Sequence, residues 1–437
     1  MLGSPPPAPQ PPRAAAASPP GKPVAATAPT REAKHTRHTP TRRIKVGHPL
    51  ALPEHLPVPL DAATASLNAW AELDLAALNQ NARALRAAIG PATETIAVVK
   101  ANAYGAGAAP FARELQSAGV ERFAVAWAAE AIALRAAGIT KPIIVLGHSF
   151  PGDAADAVRH NLTLTVHSLE LGHALSREAA AAGTTATVHI KIDTGMHRFG
   201  NTLEEAATLA ETLRTLPGID VEGLATHMAN ADEEDDSFSD QQHERFAAAV
   251  QRLPWIRYRH TANSATALRR PEYRFDGARI GLALHGILPD NTPNPGLRPV
   301  LSVRARLGRV ADVAPGGGVS YGLTWRAQQP ARAGLVPVGY ADGWPRNLGN
   351  TAHVLVHGQP APMIGRVCMD QFLADVTAIP QAREGSIVTL LGTDGGREIT
   401  ANHLADLAGT ISWDIIAGLT ARLPRLAHRN GSVEAIA

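Results

Sequence analysis

One lysine in the sequence lies where a reactive amine is expected. Lys100 follows the apolar run Ala97-Val98-Val99 and precedes Ala101-Asn102-Ala103-Tyr104-Gly105. An amine at the end of a buried strand loses part of its hydration, which lowers its pKa and favours the neutral form that attacks a carbonyl group. Lys100 is therefore a candidate for Schiff-base chemistry. The alternative is a buried structural lysine that is paired with an acid.

Other polar side chains lie in or just after further apolar runs: Asp193, Arg198, His227, the pair Asn263-Ser264, and Arg279. Taken singly, a charged residue at a strand end is more often a salt-bridge partner than a catalytic group. In a closed barrel of parallel strands, however, the carboxyl ends of all strands meet on one face, and barrel enzymes collect their reacting groups there. Convergence of these positions with Lys100 indicates an active site on that face.

Short apolar runs alternate with helical patterns over the region that carries these residues. The strand candidates are Thr95–Lys100, Arg122–Trp127, Pro142–Gly147, Leu162–Val166, Ala186–Asp193, Val221–Met228, Ile256–Asn263 and Ala278–Gly286. Amphipathic patterns such as Gly107–Ala118 and Ser168–Ala182 separate most of them. Near-continuous apolar strands predict a covered parallel sheet, and eight such units predict an α/β fold with a (β/α)8 TIM-like barrel. A doubly wound open sheet is the alternative, but no G-x-G-x-x-G turn follows the first strand.

The two ends of the chain have different patterns. Strand-like runs separated by glycine and proline begin at Val300, and one helical pattern covers Ala401–Leu419. We therefore predict the cofactor-binding barrel over residues 67–298 and a mainly β C-terminal domain over residues 299–437. Residues 1–60 hold 15 of the 34 prolines. We expect residues 1–66 to form a disordered basic arm, and a dispensable extension is favoured over a functional tether.

Composition excludes several classes of function. The 437 residues include 41 lysines and arginines against 39 acids, which gives no reason to expect nucleic-acid or membrane binding. Cys368 is the only cysteine, so no intramolecular disulfide forms, which fits a reducing cytoplasm. The N-terminus lacks an uninterrupted apolar segment of the kind found in export signals, although an organelle transit peptide is harder to exclude. We expect a cytoplasmic protein and no metal ion.

The chain resembles the alanine racemase family from about residue 70 to residue 425. The segment from Val98 to Gly105 is similar to the family's cofactor-attachment motif, and the segment from Lys191 to Gly200 is similar to its K-x-D-T-G-M-x-R-x-G motif. Six further segments match in the family's order: Thr226–Asp232, Ala262–Ala265, Arg279–Gly281, Ser320–Gly322, Gly339–Gly343 and Arg366–Asp370. Eight ordered matches across both predicted domains are far more specific than any one of them.

The resemblance implies a pyridoxal 5'-phosphate-dependent amino-acid racemase. It implies a homodimer whose active sites take residues from both subunits, interconversion of L-alanine and D-alanine, and supply of D-alanine for peptidoglycan. Racemisation removes the α-proton on one face and returns it on the other, so two bases are needed. By resemblance these catalytic residues are Lys100, which also binds the cofactor as a Schiff base, and Tyr321 of the partner subunit.

The resemblance also implies which residues surround the cofactor and the substrate. Ser264, Gly281, Leu282 and Tyr104 would bind the phosphate, because backbone and hydroxyl donors suit it. Arg279 would face the pyridine nitrogen and keep it unprotonated. Arg198 and the backbone amide of Met369 would bind the substrate carboxylate. The complete set of implied cofactor-binding residues is Lys100, Tyr104, Arg198, His227, Asn263, Ser264, Arg279, Gly281, Leu282 and Trp413.

Three positions qualify this expectation. Trp413 stands where most family members have a phosphate-binding tyrosine, and an indole is bulkier and only donates. We therefore expect alanine to be preferred over serine or longer amino acids. His285 also replaces a common tyrosine, and we interpret it as a core or interface histidine. Lys191 occupies a position that is carbamylated in many family members, and we carry this over as a hypothesis.

Two alternatives stay open. The first is a serine racemase or a racemase of broader specificity with the same fold. The second is a cofactor-carrying homeostasis protein that resembles the barrel alone. Tyr321 and Met369 in the β domain argue against the second alternative, because a carrier protein has no need of a second base.

Overall fold

The computed structural model of the chain describes residues 56–235, 237–289 and 291–437. It begins with strand β1 (Val58–Pro59), helix α1 (Leu60–Thr64), strand β2 (Ala69–Asp74) and helix α2 (Leu75–Ile89). Ala63 and Trp70 pack with Leu426 and Val433 near the end of the chain. Of the arm predicted over residues 1–66, residues 1–55 lie outside the described residues. Within the described residues, β1 and α1 lie before residue 66 and join these apolar contacts, and the predicted bound at residue 66 stays a prediction.

The middle of the chain forms a closed barrel, and the predicted fold class is confirmed. Its strands are β3 (Glu94–Val98), β4 (Arg122–Val125), β5 (Ile143–Val145), β6 (Thr163–Val166), β7 (Ala186–Lys191), β8 (Ile219–Ala225), β9 (Tyr258–His260) and β10 (Gly277–Ile280). They pair in parallel in sequence order, and β10 closes the barrel on β3. Strands β5 and β6 are buried along their whole length, as strands with covered faces on both sides must be.

Helices connect the strands around the barrel. They are α3 (Lys100–Tyr104), which is a short left-handed turn, and the regular helices α4 (Ala108–Ser117), α5 (Ala128–Ala136), α6 (Ala154–Arg159), α7 (Leu169–Ala182), α8 (Leu203–Leu213), α9 (Ser237–Arg252) and α10 (Ser264–Arg269). Side chains at the helix starts satisfy backbone amides: Ser168 accepts from Leu171 N–H and Thr202 accepts from Glu205 N–H. No helix in the described part of the chain is long and apolar enough to cross a membrane.

The remaining residues are mainly β, as predicted. The elements are β11 (Leu301–Arg306), β12 (Arg309–Val313), β13 (Gly318–Val319), β14 (Trp325–Arg326), β15 (Ala331–Val336), β16 (His353–Val356), β17 (Gln359–Ile364), β18 (Phe372–Asp375), β19 (Ile387–Asp394), β20 (Arg397–Ile399), α11 (Ala401–Ala408), α12 (Ser412–Ala417), β21 (Arg425–Arg429) and β22 (Ser432–Ile436). The single helix expected over Ala401–Leu419 is wrong: Gly409 adopts a left-handed φ of 67° and ends α11.

One large sheet joins the first strands of the chain to the last. Its order is β1-β22-β21-β2-β11-β19-β16-β17-β18-β15-β12, with β20 paired to β19 and β13-β14 forming a separate hairpin. Strand β2 lies between β21, which is parallel to it, and β11, which is antiparallel. Although β2 precedes the barrel in sequence, it is therefore part of the β sheet. This arrangement fixes the sheet beside the barrel.

Candidate active site

The backbone after β3 makes a left-handed turn that begins at Lys100. Four consecutive residues have positive φ values of 52°, 55°, 52° and 51°: Ala101, Asn102, Ala103 and Tyr104. This conformation costs a non-glycine L-residue about 1–2 kcal/mol. The turn is held by local hydrogen bonds, among them one from Ala108 N–H to Asn102 Oδ1 at 2.8 Å. Strain held in this way is typical of functional sites, and here it sets Lys100 and Tyr104 at the carboxyl end of β3.

Glu130 fixes the start of this turn. One of its carboxylate oxygens accepts the Ala101 N–H at 2.6 Å, and the other accepts Ala126 and Trp127 N–H at 2.7 and 3.1 Å. Glu130 lies in the first turn of α5, where a carboxylate is favoured by the helix dipole. The sequence reasoning missed this residue. The available signal was an acid three residues after Trp127 at the start of an apolar helical pattern.

Four cationic side chains act on one another at the barrel mouth. Lys100 is open to the mouth, yet the surrounding walls still remove water from it. This partial burial and the positive charge of Arg198 lower the pKa of Lys100. The Glu130 carboxylate raises this pKa, and the charge of Arg279 lowers it again. Burial, followed by the charges of Arg279 and Arg198, lowers the pKa of Lys191 to about 8. The structure thus brings these predicted residues together.

The acids beside these cations are already engaged with the backbone. Asp193 Oδ1 accepts from the N–H groups of Gly195 and His197 at 2.9 and 3.1 Å, which shapes the loop that carries Arg198. Glu130 is occupied by three amides, as described above. The mouth therefore holds four cationic side chains against these two carboxylates, neither of which forms an ion pair with Lys100 or Lys191 among the described residues, and positive charge is in excess. Such a mouth suits an anionic ligand.

Arg279 is buried and has one donor left for a ligand. Its Nη1 donates to His260 Nδ1 and to His260 O, at 2.8 and 2.9 Å. Its Nη2 donates to His227 Nδ1 at 2.9 Å and to the carbonyls of Thr226 and Thr261 at 2.8 and 2.6 Å. Burial and the charge of Arg198 lower the pKa of Arg279 to about 10, so it stays protonated at neutral pH. In the described part of the chain its Nε–H has no partner.

His227 is held in one tautomer by Arg279. A guanidinium only donates, so His227 Nδ1 accepts and the ring proton lies on Nε2. Burial, then the charges of Arg279 and Arg198, keeps the pKa of His227 well below its usual range. His227 is therefore a neutral ring whose Nε2–H can donate to another group.

Ser264, Gly281 and Tyr104 meet where the phosphate is expected. Ser264 Oγ accepts the Gly281 N–H at 3.1 Å, and Asn263 Oδ1 caps α10 by accepting Thr266 N–H at 3.0 Å. Leu282 is buried directly after Gly281. A Cβ on Gly281 would lie 2.3 Å from the Tyr104 hydroxyl, so only glycine allows this approach. Burial raises the pKa of Tyr104, which keeps its hydroxyl a donor.

These residues fit pyridoxal phosphate by the chemistry of their donors. The mouth presents excess cations to a phosphate and a carboxylate, hydroxyl donors close to a glycine, and one free guanidinium N–H. Lys100 has the lowered pKa that a Schiff-base lysine needs. The donor set therefore matches the charges of the cofactor and its amino-acid substrate.

Helix α12 packs on the turn that follows Lys100. A Cβ on Gly105, at the end of the turn, would lie 2.3 Å from Ile416 O, so the two segments are in close contact. Trp413 lies in the same helix and is half-buried. His285 is buried as expected, stacked on Phe111 with 4.7 Å between ring centroids, and burial lowers its pKa to about 3.

Tyr321 and Met369 lie on the β domain. Their side chains are 72% and 53% exposed. No hydrogen bond or ring contact in the described residues joins Tyr321 to the barrel. Ser320 Oγ donates to Arg366 O at 2.6 Å and thereby fixes the loop that carries Tyr321. Within one chain, the structure does not bring the second predicted base to the first.

A buried glutamine that the sequence reasoning missed links the loops after β7 and β8. Gln242 in α9 donates to Thr194 Oγ1 and to His227 O, both at 3.0 Å, and accepts from Ala229 N–H at 2.8 Å. It therefore holds His227 relative to the loop of Asp193. No sequence signal distinguishes Gln242 from a solvent-facing residue of the helix.

The sequence matches two family models. Residues 73–289 match the alanine racemase N-terminal domain, and residues 300–427 match the alanine racemase C-terminal domain. The chain is 41% identical over 363 residues to an alanine racemase of Desulfovibrio desulfuricans. The aligned region covers 82% of this chain and 97% of that protein. The chain is also 41% identical over 368 residues to an alanine racemase of Synechocystis, covering 82% and 98%.

Solved structures give the same result. The alanine racemase of Bacillus anthracis with bound L-Ala-P superposes with a TM-score of 0.79 at 36% identity, covering 85% of this chain and 97% of that one. The alanine racemase of Streptomyces coelicolor gives a TM-score of 0.79 at 36% identity, covering 84% and 99%. The predicted fold class, a barrel followed by a mainly β domain, agrees with these matches. The chain belongs to the alanine racemase family.

Proposed function

We propose that this chain racemises alanine with Lys100 and Tyr321 as its two bases. The observation that carries the proposal is the cationic barrel mouth, in which Lys100 has a lowered pKa and the neighbouring acids are taken up by backbone amides. Bound pyridoxal phosphate would supply the electron sink that makes the α-proton of an amino acid removable. In a bacterial cell the product D-alanine would serve peptidoglycan synthesis.

The residues around Lys100 orient the ligands. Arg198 and the cationic side chains beside it would hold the substrate carboxylate, while Ser264, Tyr104 and the amides at Gly281 and Leu282 would hold the phosphate. Arg279 would offer its free Nε–H to the pyridine nitrogen. Because its other donors are already bound to His260, His227 and backbone carbonyls, its position is fixed before any ligand arrives.

The second base requires a second subunit. Tyr321 and Met369 are exposed on the β domain, and we propose that they complete the site of the other chain in a homodimer. A phenol with a pKa of about 10 needs a neighbouring donor to act as a base at neutral pH. The Nε2–H of His227 is such a donor, since Arg279 holds the proton on that nitrogen. The backbone N–H of Met369 has no partner in the described residues and is available for a carboxylate.

The test is conversion of L-alanine to D-alanine by the purified holoprotein, followed by reduction with borohydride and peptide mapping. We expect racemisation, loss of the cofactor absorbance on reduction, and the label on Lys100. A Tyr321→Phe variant should lose at least about 100-fold in activity, the low end of general-base contributions. A protein that holds the cofactor on Lys100 but does not racemise alanine, serine or lysine would be a carrier, and the proposal would be wrong. The predicted domain bounds and the cytoplasmic location remain predictions.

A further inference from the structure

A continuous series of hydrogen bonds runs through the barrel interior from Arg279. Arg279 Nη1 lies 2.8 Å from His260 Nδ1, and His260 Nε2 lies 2.9 Å from His189 Nδ1. His189 Nε2 then lies 3.0 Å from Glu222 Oε2. His189 and His260 are fully buried. At its far end Glu222 also accepts from Arg122, the first residue of β4, at 2.9 and 3.2 Å. The series thus links the ligand end of the barrel to its amino-terminal end.

Only one arrangement of protons satisfies every contact. Arg279 can only donate, so His260 Nδ1 accepts and the proton of a neutral His260 lies on Nε2. That proton is donated to His189 Nδ1. The proton of His189 therefore lies on Nε2, from which it is donated to the Glu222 carboxylate. The series has a direction, and it requires an acceptor at its end.

The electrostatics agree with this arrangement. Burial and the charge of Arg279 keep the pKa of His260 well below its usual range, and burial lowers the pKa of His189 against the opposing effect of Glu222. Both rings are therefore neutral. Burial would raise the pKa of Glu222, but hydrogen bonds from His189 and Arg122 lower it to about 2. Glu222 is accordingly a carboxylate acceptor throughout the neutral pH range.

The barrel interior also leaves space for the histidines of this series. A Cβ on Gly223 would lie 2.4 Å from His189 Cδ2, so the imidazole occupies the space that a side chain on β8 would need. A glycine inside a strand marks a close approach of this kind. Polar groups in a barrel core are costly unless they are fully satisfied, and His189, His260 and Glu222 satisfy one another.

We propose that Glu222, acting through His189 and His260, is a positioning residue for racemisation. Arg279 and the carboxylate fix the tautomer of each histidine from the two ends of the series, and His260 binds the two Nη1 hydrogens of Arg279 through its ring and its carbonyl. The guanidinium is held with only Nε–H free, and its Nη2 keeps the proton of His227 on Nε2. The inference rests on the proposed function, although neither Glu222 nor His189 lies at the mouth where substrate would bind.

The first test is the nitrogen NMR spectrum of the full-length holoprotein labelled in its histidine rings. We expect His189 and His260 to be neutral with the proton on Nε2 in both rings. Detection of a charged ring, or of a proton on Nδ1 in either residue, would overturn the inference. This measurement needs no variant, so it is independent of any effect of substitution on folding.

The second test is a His189→Leu variant, which cuts the series but leaves Glu222 with Arg122. We expect kcat to fall about tenfold, which corresponds to about 1.4 kcal/mol, while KM changes by less than about twofold. The spectrum of His260 should change as well. The matched control is Asp156→Asn, which disrupts the exposed pair with Arg159 and touches no member of the series. The control should keep the wild-type kcat and the wild-type spectrum.

The outcomes separate this inference from the proposed function. If the unaltered protein racemises alanine and His189→Leu retains the wild-type kcat and His260 spectrum, the positioning role is wrong and the proposed function stands. If the unaltered protein does not racemise alanine, the proposed function fails, and its spectrum still tests the arrangement of protons that the inference requires.

Discussion

The hydroxyl of Tyr104 lies 2.3 Å from the position that a Cβ atom would take on Gly281. The left-handed turn after β3 carries Tyr104 to this point, and the last barrel strand ends just before Gly281. The two residues therefore close the space in which the phosphate is expected, from two different strands of the barrel.

A Gly281→Ala substitution should weaken cofactor binding. The added methyl group must displace Tyr104, and overpacking of this kind costs about 1–3 kcal/mol. We expect the dissociation constant of pyridoxal phosphate to rise by about tenfold or more, as measured by absorbance titration of the cofactor-depleted protein. Gly152→Ala is the matched control, because a Cβ there meets no atom within 4 Å. Unchanged affinity in Gly281→Ala would contradict the predicted phosphate site.

Hybrid dimers test whether Lys100 and Tyr321 work across subunits. Lys100→Ala and Tyr321→Phe proteins should each be nearly inactive. After mixing and subunit exchange, half of the dimers would be hybrids with one intact site, so about a quarter of the wild-type activity should return. Activity is measured as racemisation of L-alanine. If both residues served one chain, no intact site would form and the mixture would stay inactive. Mixing two Lys100→Ala preparations is the control.

Lys191 should react with carbon dioxide. Its pKa of about 8 leaves a neutral amine available near neutral pH, as carbamylation requires. In ¹³C-labelled bicarbonate we expect one carbamate signal that grows as the pH rises from 7 to 9 and disappears on acidification. A negative charge there would also hold Arg198 by attraction. Carbon NMR of the holoprotein is the measurement. A Lys191→Ala variant should lose the signal, and its persistence there would show that another amine reacts.

His285 should make the stability of the protein depend on pH. Its pKa in the folded state is about 3, well below the unfolded value of about 6.5, so below pH 6.5 the unfolded chain binds the proton first. The free energy of unfolding therefore falls as the pH decreases from 7 to 5, and His285 accounts for about 2 kcal/mol of this fall. His285→Phe should remove this share, as measured by urea unfolding at both pH values.

The control for His285→Phe is His173→Gln, since His173 is exposed on α7. Its pH dependence should equal that of the wild type. The phenylalanine variant also removes two ring nitrogens that have no partner among the described residues. An equal loss of stability between pH 7 and 5 in His285→Phe and in the wild type would show that His285 is not the titrating group.

Trp413 should narrow the substrate range. The indole is larger than the tyrosine expected at this position, and it sits in the helix that packs on the turn after Lys100. We expect alanine to be racemised with a kcat/KM at least about tenfold above that of serine, since pocket shape discriminates by about 1–3 kcal/mol. Trp413→Tyr should raise cofactor affinity through a new phosphate contact and reduce this preference. Equal turnover of serine and alanine by the wild type would disprove the expectation.

The barrel could be predicted from the sequence because each of its strands and helices has a hydrophobic pattern over a few neighbouring residues. All eight strand candidates correspond to barrel strands, although the predicted strand that ends at Lys100 stops at Val98 in the structure. Strand β2 was not predicted, since Ala69–Asp74 is short and runs directly into the helical pattern of α2. Its partners lie far away along the chain, and pairing over such distances leaves no trace in the local pattern.

Only some residues of the candidate site could be predicted from the sequence. Lys100, His227 and Arg279 stand out because charged or titratable residues interrupt apolar runs. The turn over Ala101–Tyr104 could not be predicted, because alanine and tyrosine favour right-handed backbone and tertiary contacts override that preference here. Gln242 and Glu222 were missed because a buried polar side chain looks like a solvated one until its partners are known.

The position of β2 between β21 and β11 has a consequence for synthesis of the protein. As the chain leaves the ribosome, β2 emerges first, but β21 follows only after more than 300 further residues. During that time the barrel can close, while the edge of β2 stays unpaired and open to other strands. We infer that a nascent chain has a complete barrel before it has a complete sheet, and that this interval is when it is most exposed to aggregation and to chaperones.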